Sequence, residues 1–293
     1  MASASEEPRA VIVVSSHVVR GSVGNRAAVF ALETLGFPVW AVPTVILPWH
    51  PGHSRATRIV PPAAEFAALM HDLETAKWLP EVAAVLSGYL GDASQADAVA
   101  SLVKAVKKRN PDALYLCDPV MGDKGGLYVP EEVAARQRDL LMPLADIATP
   151  NRHELEWMSG VKLETPAAVA EAAFDAVPAT MVVTSAPALM AGSIGNLLVT
   201  ADVAMAAEHR IIQKPPNGLG DLTAAVFLAR LLDGHTAAKA LQTTTESVFE
   251  VLARTAKRGA DELTLETDAQ SLAHPMAMVQ TRYMPHPAGG RRA

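Results

Sequence analysis

The chain lacks the features that mark nucleic-acid-binding, disulfide-rich or membrane-spanning proteins. Its 293 residues include 25 lysines and arginines against 31 aspartates and glutamates, so no basic excess indicates a nucleic-acid partner. The single cysteine, Cys117, excludes an intramolecular disulfide and fits a reducing compartment. No apolar run approaches the length of a membrane span. We therefore expect a soluble, cytoplasmic protein.

Half of the residues are hydrophobic, which is enough to build a large core. The acidic residues 1–8 contain no apolar stretch of signal-peptide length. No linker or internal repeat interrupts the chain that follows. We expect one domain over residues 9–285, with disordered ends at 1–8 and 286–293.

Short β-branched runs alternate with helical stretches through most of the chain. The predicted strands are 10–15, 39–45, 82–86, 113–117, 145–148 and 180–183, followed by a hairpin of 196–200 and 203–207. This alternation predicts an α/β fold with a mainly parallel central sheet, helices on both faces and a few antiparallel edge strands. Pro43 favours an edge or irregular position for the second strand.

The stretch from Pro215 to Asp221 has the sequence Pro-Pro-Asn-Gly-Leu-Gly-Asp and precedes an apolar helix. Two glycines at a helix N-terminus let backbone N–H groups converge at the positive end of the dipole, which favours an anion such as phosphate. Asp221 lies beside this pocket, where it could take a proton from a hydroxyl group that attacks phosphorus. An ordinary turn and helix cap fit the same residues. We expect a β-branched residue at Gly220 to crowd the pocket and to disfavour any positive φ there.

Polar side chains follow several of the predicted strands. Open α/β sheets bind ligands at the carboxyl ends of their strands, so we expect these side chains to converge. They are Ser16, Tyr89, Asp118, Asp123, Asn151, Glu154 and Thr184. Asn151 and Glu154 fit a helix N-cap with a capping box, and their oxygens would also suit Mg²⁺ or its waters.

The loop after the second predicted strand, Leu47-Pro48-Trp49-His50-Pro51-Gly52, combines two prolines, a glycine and an aromatic residue. His50 and His53 have a spacing that some metal sites use, but no third ligand lies nearby, which argues against zinc. A flexible lid is one interpretation of this loop, and a plain surface loop is the other.

Six segments together resemble the pyridoxal kinases of the ribokinase-like superfamily. They are Ser16-His17-Val18-Val19, Ser87-Gly88-Tyr89-Leu90-Gly91, Cys117 to Asp123, Thr149 to Glu156, Val183-Thr184-Ser185 and Gly218-Leu219-Gly220-Asp221. They occur in the order of the family and span roughly residues 10 to 260. Gly-x-Gly-Asp and Asn-x-x-Glu mark the superfamily, whereas the first two segments are more specific to the pyridoxal branch.

This resemblance implies ATP-dependent phosphorylation of the 5′-hydroxyl of pyridoxal, pyridoxine and pyridoxamine in vitamin B6 salvage. It makes Asp221 the general base and the amides of Gly218 to Asp221 the anion hole, so that Gly218 and Gly220 are catalytic as well. It places Ser16 and Tyr89 on the pyridine ring. The ATP contacts that it implies are Asp118, Asp123, Thr149, Asn151, Glu154, Thr184, Ser185, Gly218, Leu219 and Gly220. Asp118, Asn151 and Glu154 would also organise Mg²⁺, and the resemblance further implies a K⁺ requirement and a homodimer.

The chain departs from the family pattern in the loop after the second strand. The family usually has Phe-Ser-Asn-His-Thr where this chain has Leu47-Pro48-Trp49-His50-Pro51. The ring contacts of that loop therefore do not carry over, and the preferred vitamer stays open. We expect Trp49 and His50 to bind the substrate as part of a mobile cover.

Two alternatives to the pyridoxal kinase interpretation remain. One is a kinase for another small alcohol, such as a hydroxymethylpyrimidine, against which Ser16-His17-Val18 argues. The other is a catalytically weak homologue that binds pyridoxal phosphate or a protein partner, against which the presence of Asp221 argues.

Overall fold

The computed structural model describes residues 9–290, so the predicted disordered segment 1–8 lies outside the described residues, as do residues 291–293. The strands are β1 (Ala10–Val18), β2 (Val39–Leu47), β3 (Val82–Ser87), β4 (Leu114–Cys117), β5 (Gly122–Asp123), β6 (Gly126–Leu127), β7 (Ile147–Ala148), β8 (Thr180–Pro187), β9 (Ser193–Val199), β10 (Ala204–Arg210) and β11 (Gln280–Tyr283). The helices are α1 (Asn25–Thr34), α2 (Ala63–Thr75), α3 (Gln95–Arg109), α4 (Glu131–Arg136), α5 (Arg152–Ser159), α6 (Pro166–Asp175), α7 (Leu219–Leu232), α8 (Ala237–Arg258), α9 (Ala269–Ala273) and α10 (Pro287–Gly290). Short 3₁₀ turns occur at Leu79–Glu81 and Met142–Leu144, and a π turn occurs at Gln137–Leu141.

One sheet of nine strands organises the described residues. Its order is β11-β10-β9-β8-β7-β4-β3-β1-β2, and β5 and β6 form a separate antiparallel hairpin. The pairs from β2 to β8 are parallel, whereas β8, β9, β10 and β11 pair antiparallel. The predicted α/β fold is confirmed, and β2 lies at the edge that Pro43 indicated.

Helices cover both faces of the sheet. Along β1, Ile12 and Val14 belong to one hydrophobic cluster, and Val11 and Val13 belong to the other. A parallel strand buried on both faces reads as a continuous apolar run, which explains the first predicted strand. Helix α7 is apolar on nearly every side, and it is accordingly buried along most of its length.

Residues 286–290, which we expected to belong to a disordered tail, contact the domain. The His286 ring packs edge-on against Phe174 with a centroid distance of 5.2 Å. Its Nε2 lies 2.9 Å from the carbonyl oxygen of Thr200. No helix within residues 9–290 combines the length and the apolar character needed to cross a bilayer.

Candidate active site

A cavity of about 940 Å³ lies where β1, β3, β4 and β7 end and where α7 begins. Every predicted site residue except Trp49 lines it. These residues are Ser16, His50, Tyr89, Asp118, Asp123, Thr149, Asn151, Glu154, Thr184, Ser185, Gly218, Leu219, Gly220 and Asp221. The strand-end convergence that the sequence predicts is therefore present.

The two glycines before Asp221 have different environments. Gly218 has φ +93°, and a Cβ atom there would lie 2.0 Å from the carbonyl oxygen of Ser22. A Cβ atom on Gly220 would meet nothing within 4 Å, and Gly220 lies in the first turn of α7. The positive φ that we associated with Gly220 thus belongs to Gly218, because the chain makes its tight approach two residues earlier. Gly220 instead leaves open space at the cavity wall.

The Asp221 carboxylate is held by backbone N–H groups. Burial raises its pKa to about 6, although hydrogen bonds from the backbone N–H groups of Gly24 and of Asp221 itself oppose the shift. Gly24 has φ +56°, and a Cβ atom there would lie 2.2 Å from the carbonyl oxygen of Ser16. The end of β1 and the beginnings of α1 and α7 therefore meet tightly at Asp221. A carboxylate with a pKa near 6 is well matched to general-base work at neutral pH.

Two more buried carboxylates face the same cavity, Asp118 after β4 and Glu154 on α5. Burial raises the pKa of Asp118 well above its usual range, and the charges of Glu154 and Asp221 add to the shift. Thr149 Oγ1 donates a hydrogen bond of 3.0 Å to Asp118 Oδ1. We call Asp118, Glu154 and Asp221 the carboxylate end of the cavity.

Glu154 and Asn151 form the capping box that the sequence predicts at the start of α5. Glu154 Oε2 accepts from the Asn151 backbone N–H at 2.8 Å. Glu154 Oε1 accepts from the N–H groups of Met121 at 2.8 Å and Gly122 at 3.3 Å, and Asn151 Nδ2 donates to the Gly122 carbonyl at 2.8 Å. Burial raises the pKa of Glu154 to about 7 although these hydrogen bonds oppose the shift. Both side chains thus fasten the loop after β4 to α5.

Asp123 and Tyr128 lie at the hairpin of β5 and β6. Asp123 is exposed, and its Oδ1 accepts from the Gly125 N–H at 2.8 Å. Desolvation and the surrounding carboxylates raise the pKa of Tyr128, although about half of the residue is exposed. Sequence reasoning missed Tyr128, because a single tyrosine after a glycine-rich turn carries no recognisable pattern.

A second cavity of about 160 Å³ adjoins the first and shares Thr184, Ser185, Leu219 and Gly220 with it. Its wall includes His209 and Phe249, whose rings stack with centroids 4.6 Å apart and planes 25° apart. Flat, largely apolar walls suit a planar heterocycle. Sequence reasoning did not single out His209 or Phe249, since they come from β10 and α8 and no motif joins them.

Another part of the wall of the large cavity is built from His50, Arg58 and Tyr89, which we call the loop end. Arg58 Nη2 donates to the Tyr89 hydroxyl at 3.2 Å and to the Gly91 carbonyl at 2.6 Å. His50 Nδ1 accepts from the Gly52 N–H at 3.0 Å, and burial lowers the pKa of His50. Sequence reasoning missed Arg58, because it lies in an exposed loop outside any motif.

The structure places Trp49 outside the cavity lining, and its predicted role as a mobile cover over the substrate stays a prediction. Its Nε1 donates a hydrogen bond of 3.1 Å to the carbonyl oxygen of Ser54. This hydrogen bond joins two parts of the same loop, because Ser54 follows Trp49 by five residues.

Comparison with known proteins agrees with this geometry. The sequence profile of the phosphomethylpyrimidine kinase family matches residues 53–266. Pyridoxal kinase PdxY of Rubrobacter xylanophilus is 38% identical over 272 residues, which is 90% of this chain and 94% of that protein. The chain belongs to the pyridoxal kinase family. PdxY of Corynebacterium diphtheriae is 35% identical over 90% of this chain and 96% of its own length.

A solved structure extends the likeness to three dimensions. Pyridoxal kinase from Leishmania donovani in complex with ADP and pyridoxamine superposes with a TM-score of 0.88 at 29% identity. The likeness covers 94% of this chain and 100% of that chain. The resemblance drawn from six short segments is thereby confirmed, and so is the ribokinase-like fold that it implied.

Proposed function

We propose that this chain transfers the γ-phosphoryl group of ATP to the 5′-hydroxyl of pyridoxal, giving pyridoxal 5′-phosphate in vitamin B6 salvage. Pyridoxine and pyridoxamine are further substrates in this proposal. The observation that supports this proposal most directly is the position of Asp221, a carboxylate with a pKa of about 6 on the first turn of α7. It lies beside the open N-terminal amides of that helix, in a cavity large enough for both substrates.

The residues divide the reaction between them. Asp221 accepts the proton of the 5′-hydroxyl while that oxygen attacks the γ-phosphorus and the bond between the γ-phosphorus and the bridging oxygen breaks, so that ADP leaves. The proton stays on the Asp221 carboxyl group and passes to water after the transfer. The backbone N–H groups from Gly218 to Gly220 at the start of α7 bind the phosphoryl oxygens, whereas the Asp221 N–H donates to its own carboxylate. Ser16 and Tyr89 hold the ring, and Thr184, Ser185 and Leu219 flank the nucleotide. Helix amides suit this task because they are fixed before the substrate arrives.

The carboxylate end suits Mg²⁺. Within residues 9–290 no three histidine, cysteine, aspartate or glutamate side chains could hold a metal by themselves. Mg²⁺ in phosphoryl-transfer enzymes usually needs only one or two carboxylates, since phosphate oxygens and waters complete its octahedron. Asp118, Glu154 and Asn151 would hold it, and burial leaves the two carboxylates short of a counter-charge. When bound, the ion neutralises charge on the phosphates of ATP. A K⁺ requirement and a homodimer in the cytoplasm complete the proposal, on the resemblance to the family.

The test is an ATP-dependent phosphorylation screen of pyridoxal, pyridoxine, pyridoxamine and hydroxymethylpyrimidine, with ADP release and product mass as readouts. We expect all three vitamers to be phosphorylated at the 5′-oxygen. Omission of Mg²⁺ or K⁺ tests the ions, and light scattering of the eluting protein tests the dimer. A chain that turns over no vitamer would contradict the proposal.

The family profile favours a second candidate, phosphorylation of hydroxymethylpyrimidine. The same base and amides would serve that substrate, because the reacting group is again a primary alcohol on a heteroaromatic ring. The two candidates differ at the ring, so the ratio of kcat/KM for pyridoxal to that for hydroxymethylpyrimidine decides between them.

A further inference from the structure

The cavity carries opposite charges at its two ends. The carboxylate end holds Asp118, Glu154 and Asp221, and the charges of Glu154 and Asp221 help to raise the pKa of Asp118. Arg58 at the loop end is the single lysine or arginine among the described residues that line the cavity. A substrate with an anionic ring substituent and a separate hydroxymethyl group would be oriented by this difference.

The Arg58 guanidinium is held beside the edge of the Tyr89 ring. The hydrogen bonds to the Tyr89 hydroxyl and the Gly91 carbonyl both use Nη2. The ion pairs found within residues 9–290 do not include Arg58. Arginine has five N–H donors in a planar fork, so donors remain for a ligand in the cavity.

We propose that Arg58 binds the ionised 3-oxygen of the pyridine ring and thereby sets the preference among B6 vitamers. This inference rests on the proposed kinase function. Tyr89, Arg58 and Asp221 line the same cavity, and Arg58 bonds the Tyr89 hydroxyl. In this proposal a ring on Tyr89 with its 5′-hydroxyl at Asp221 presents its 3-oxygen to Arg58. Charge-assisted hydrogen bonds from guanidinium to an anionic oxygen are about twice as strong as neutral ones.

The vitamers differ at the carbon next to that oxygen. Pyridoxal carries an aldehyde there and pyridoxine a hydroxymethyl group, and both are uncharged. Pyridoxamine carries an aminomethyl group, which is protonated at neutral pH. This ammonium group neutralises the same oxygen and repels the guanidinium, so Arg58 favours pyridoxal and pyridoxine over pyridoxamine. Hydroxymethylpyrimidine has no such oxygen and gains nothing from Arg58.

The test compares kcat/KM of the full chain and of Arg58→Gln for the three vitamers and for 3-deoxypyridoxine, which lacks the 3-oxygen. Arg58→Lys keeps the charge but loses the planar fork. Arg55→Gln is the matched control, because Arg55 is exposed in the same loop and does not line the cavity.

We expect Arg58→Gln to lower kcat/KM for pyridoxal and pyridoxine about tenfold or more, mainly through KM, because one charge-assisted hydrogen bond is lost. The loss for pyridoxamine should be smaller, and kcat/KM for 3-deoxypyridoxine and KM for ATP should stay unchanged. Arg58→Lys should recover part of the loss, and Arg55→Gln should behave as the wild type.

Two results would overturn the inference. An unchanged vitamer profile in Arg58→Gln would remove Arg58 from the substrate, and an equal loss for 3-deoxypyridoxine would assign it to loop structure alone. If the wild type phosphorylates no vitamer, the proposed function fails separately. Calorimetric binding of pyridoxine and of 3-deoxypyridoxine to both proteins without ATP then still decides whether Arg58 recognises the 3-oxygen.

Discussion

The carboxylate end and the loop end of the cavity are built in different ways. Glu154 accepts three backbone N–H groups, and Asp221 accepts two. At the loop end, Arg58 and His50 come from a largely exposed loop and make contacts through their own long side chains. The reacting groups thus lie at strand ends and helix starts inside the domain, whereas a largely exposed loop supplies Arg58 and His50 to the ring site.

This difference assigns different tasks to the two ends. Phosphoryl transfer needs donors and a base held in place before the substrate binds, because reorganisation in the transition state would cost rate. Ring recognition tolerates variation, since the binding energy of a ring substituent can come from any residue that reaches it. The family pattern accordingly persists at Gly218-Leu219-Gly220-Asp221 and departs at Leu47-Pro48-Trp49-His50-Pro51.

The largest effect is expected from a substitution at the carboxylate end. Asp221→Asn should lower kcat about 10²–10⁴-fold, which is the usual value of a general base. KM values for ATP and pyridoxal should change little, because the amide side chain keeps the shape of the carboxyl group. Steady-state kinetics of the purified variant measure this, and near-wild-type turnover would show that another group accepts the proton.

The same variant should not be less stable than the wild type. The folded-state pKa of Asp221, about 6, lies above its ordinary value of 3.8, so ionisation weakens the fold as pH rises from about 4 to 6. The neutral asparagine removes that penalty at pH 7. A melting temperature equal to or above that of the wild type separates loss of chemistry from loss of structure.

The sequence predicted the carboxylate end better than the loop end for the same physical reason. The Asn151–Glu154 capping box is a local pattern that residues three apart determine by themselves. Strand ends also converge by topology, which brought Asp118 and Glu154 together. The positions of the Arg58 and Trp49 side chains depend on the conformation of a loop, and no local sequence pattern determines that conformation. Hence Arg58 was missed, and Trp49, predicted to cover the substrate, lies outside the cavity lining.

A second prediction compares Gly218 with Gly220. Gly218→Ala should destabilise the fold by about 1–3 kcal/mol or more, since it needs a positive φ and would meet the Ser22 carbonyl oxygen. Gly220→Ala should leave stability unchanged or raise it by up to about 1 kcal/mol, because alanine favours a helix. Its methyl group should nevertheless raise KM for ATP by crowding the cavity wall.

Denaturant unfolding and ATP kinetics of both variants measure this contrast. Equal destabilisation by the two substitutions would mean that Gly220 also needs glycine backbone geometry. An unchanged KM for ATP in Gly220→Ala would place the phosphates away from the first turn of α7.

A third prediction concerns pH. Because the base acts in its ionised form, kcat/KM for pyridoxal should fall below a pKa near 6, approaching a tenfold loss for each further pH unit. The acid limb should be measured with pyridoxal and pyridoxine, so that titration of the substrate is recognised by its dependence on the vitamer. A profile that stays flat to pH 5 with both would contradict the raised pKa of Asp221.

The smallest effect is expected at Trp49. Our expectation from the sequence was that its indole covers the substrate, in which case Trp49→Ala would raise KM for the vitamer up to about tenfold. The structure instead places the indole outside the cavity and bonds it to Ser54. We therefore expect the vitamer KM to change less than about twofold, with KM for ATP unchanged.

His50→Ala is the matched comparison in the same loop, because His50 lines the cavity and its substitution should raise the vitamer KM more. A larger effect of Trp49→Ala than of His50→Ala would mean that the loop turns over when the substrate binds and brings the indole onto the ring.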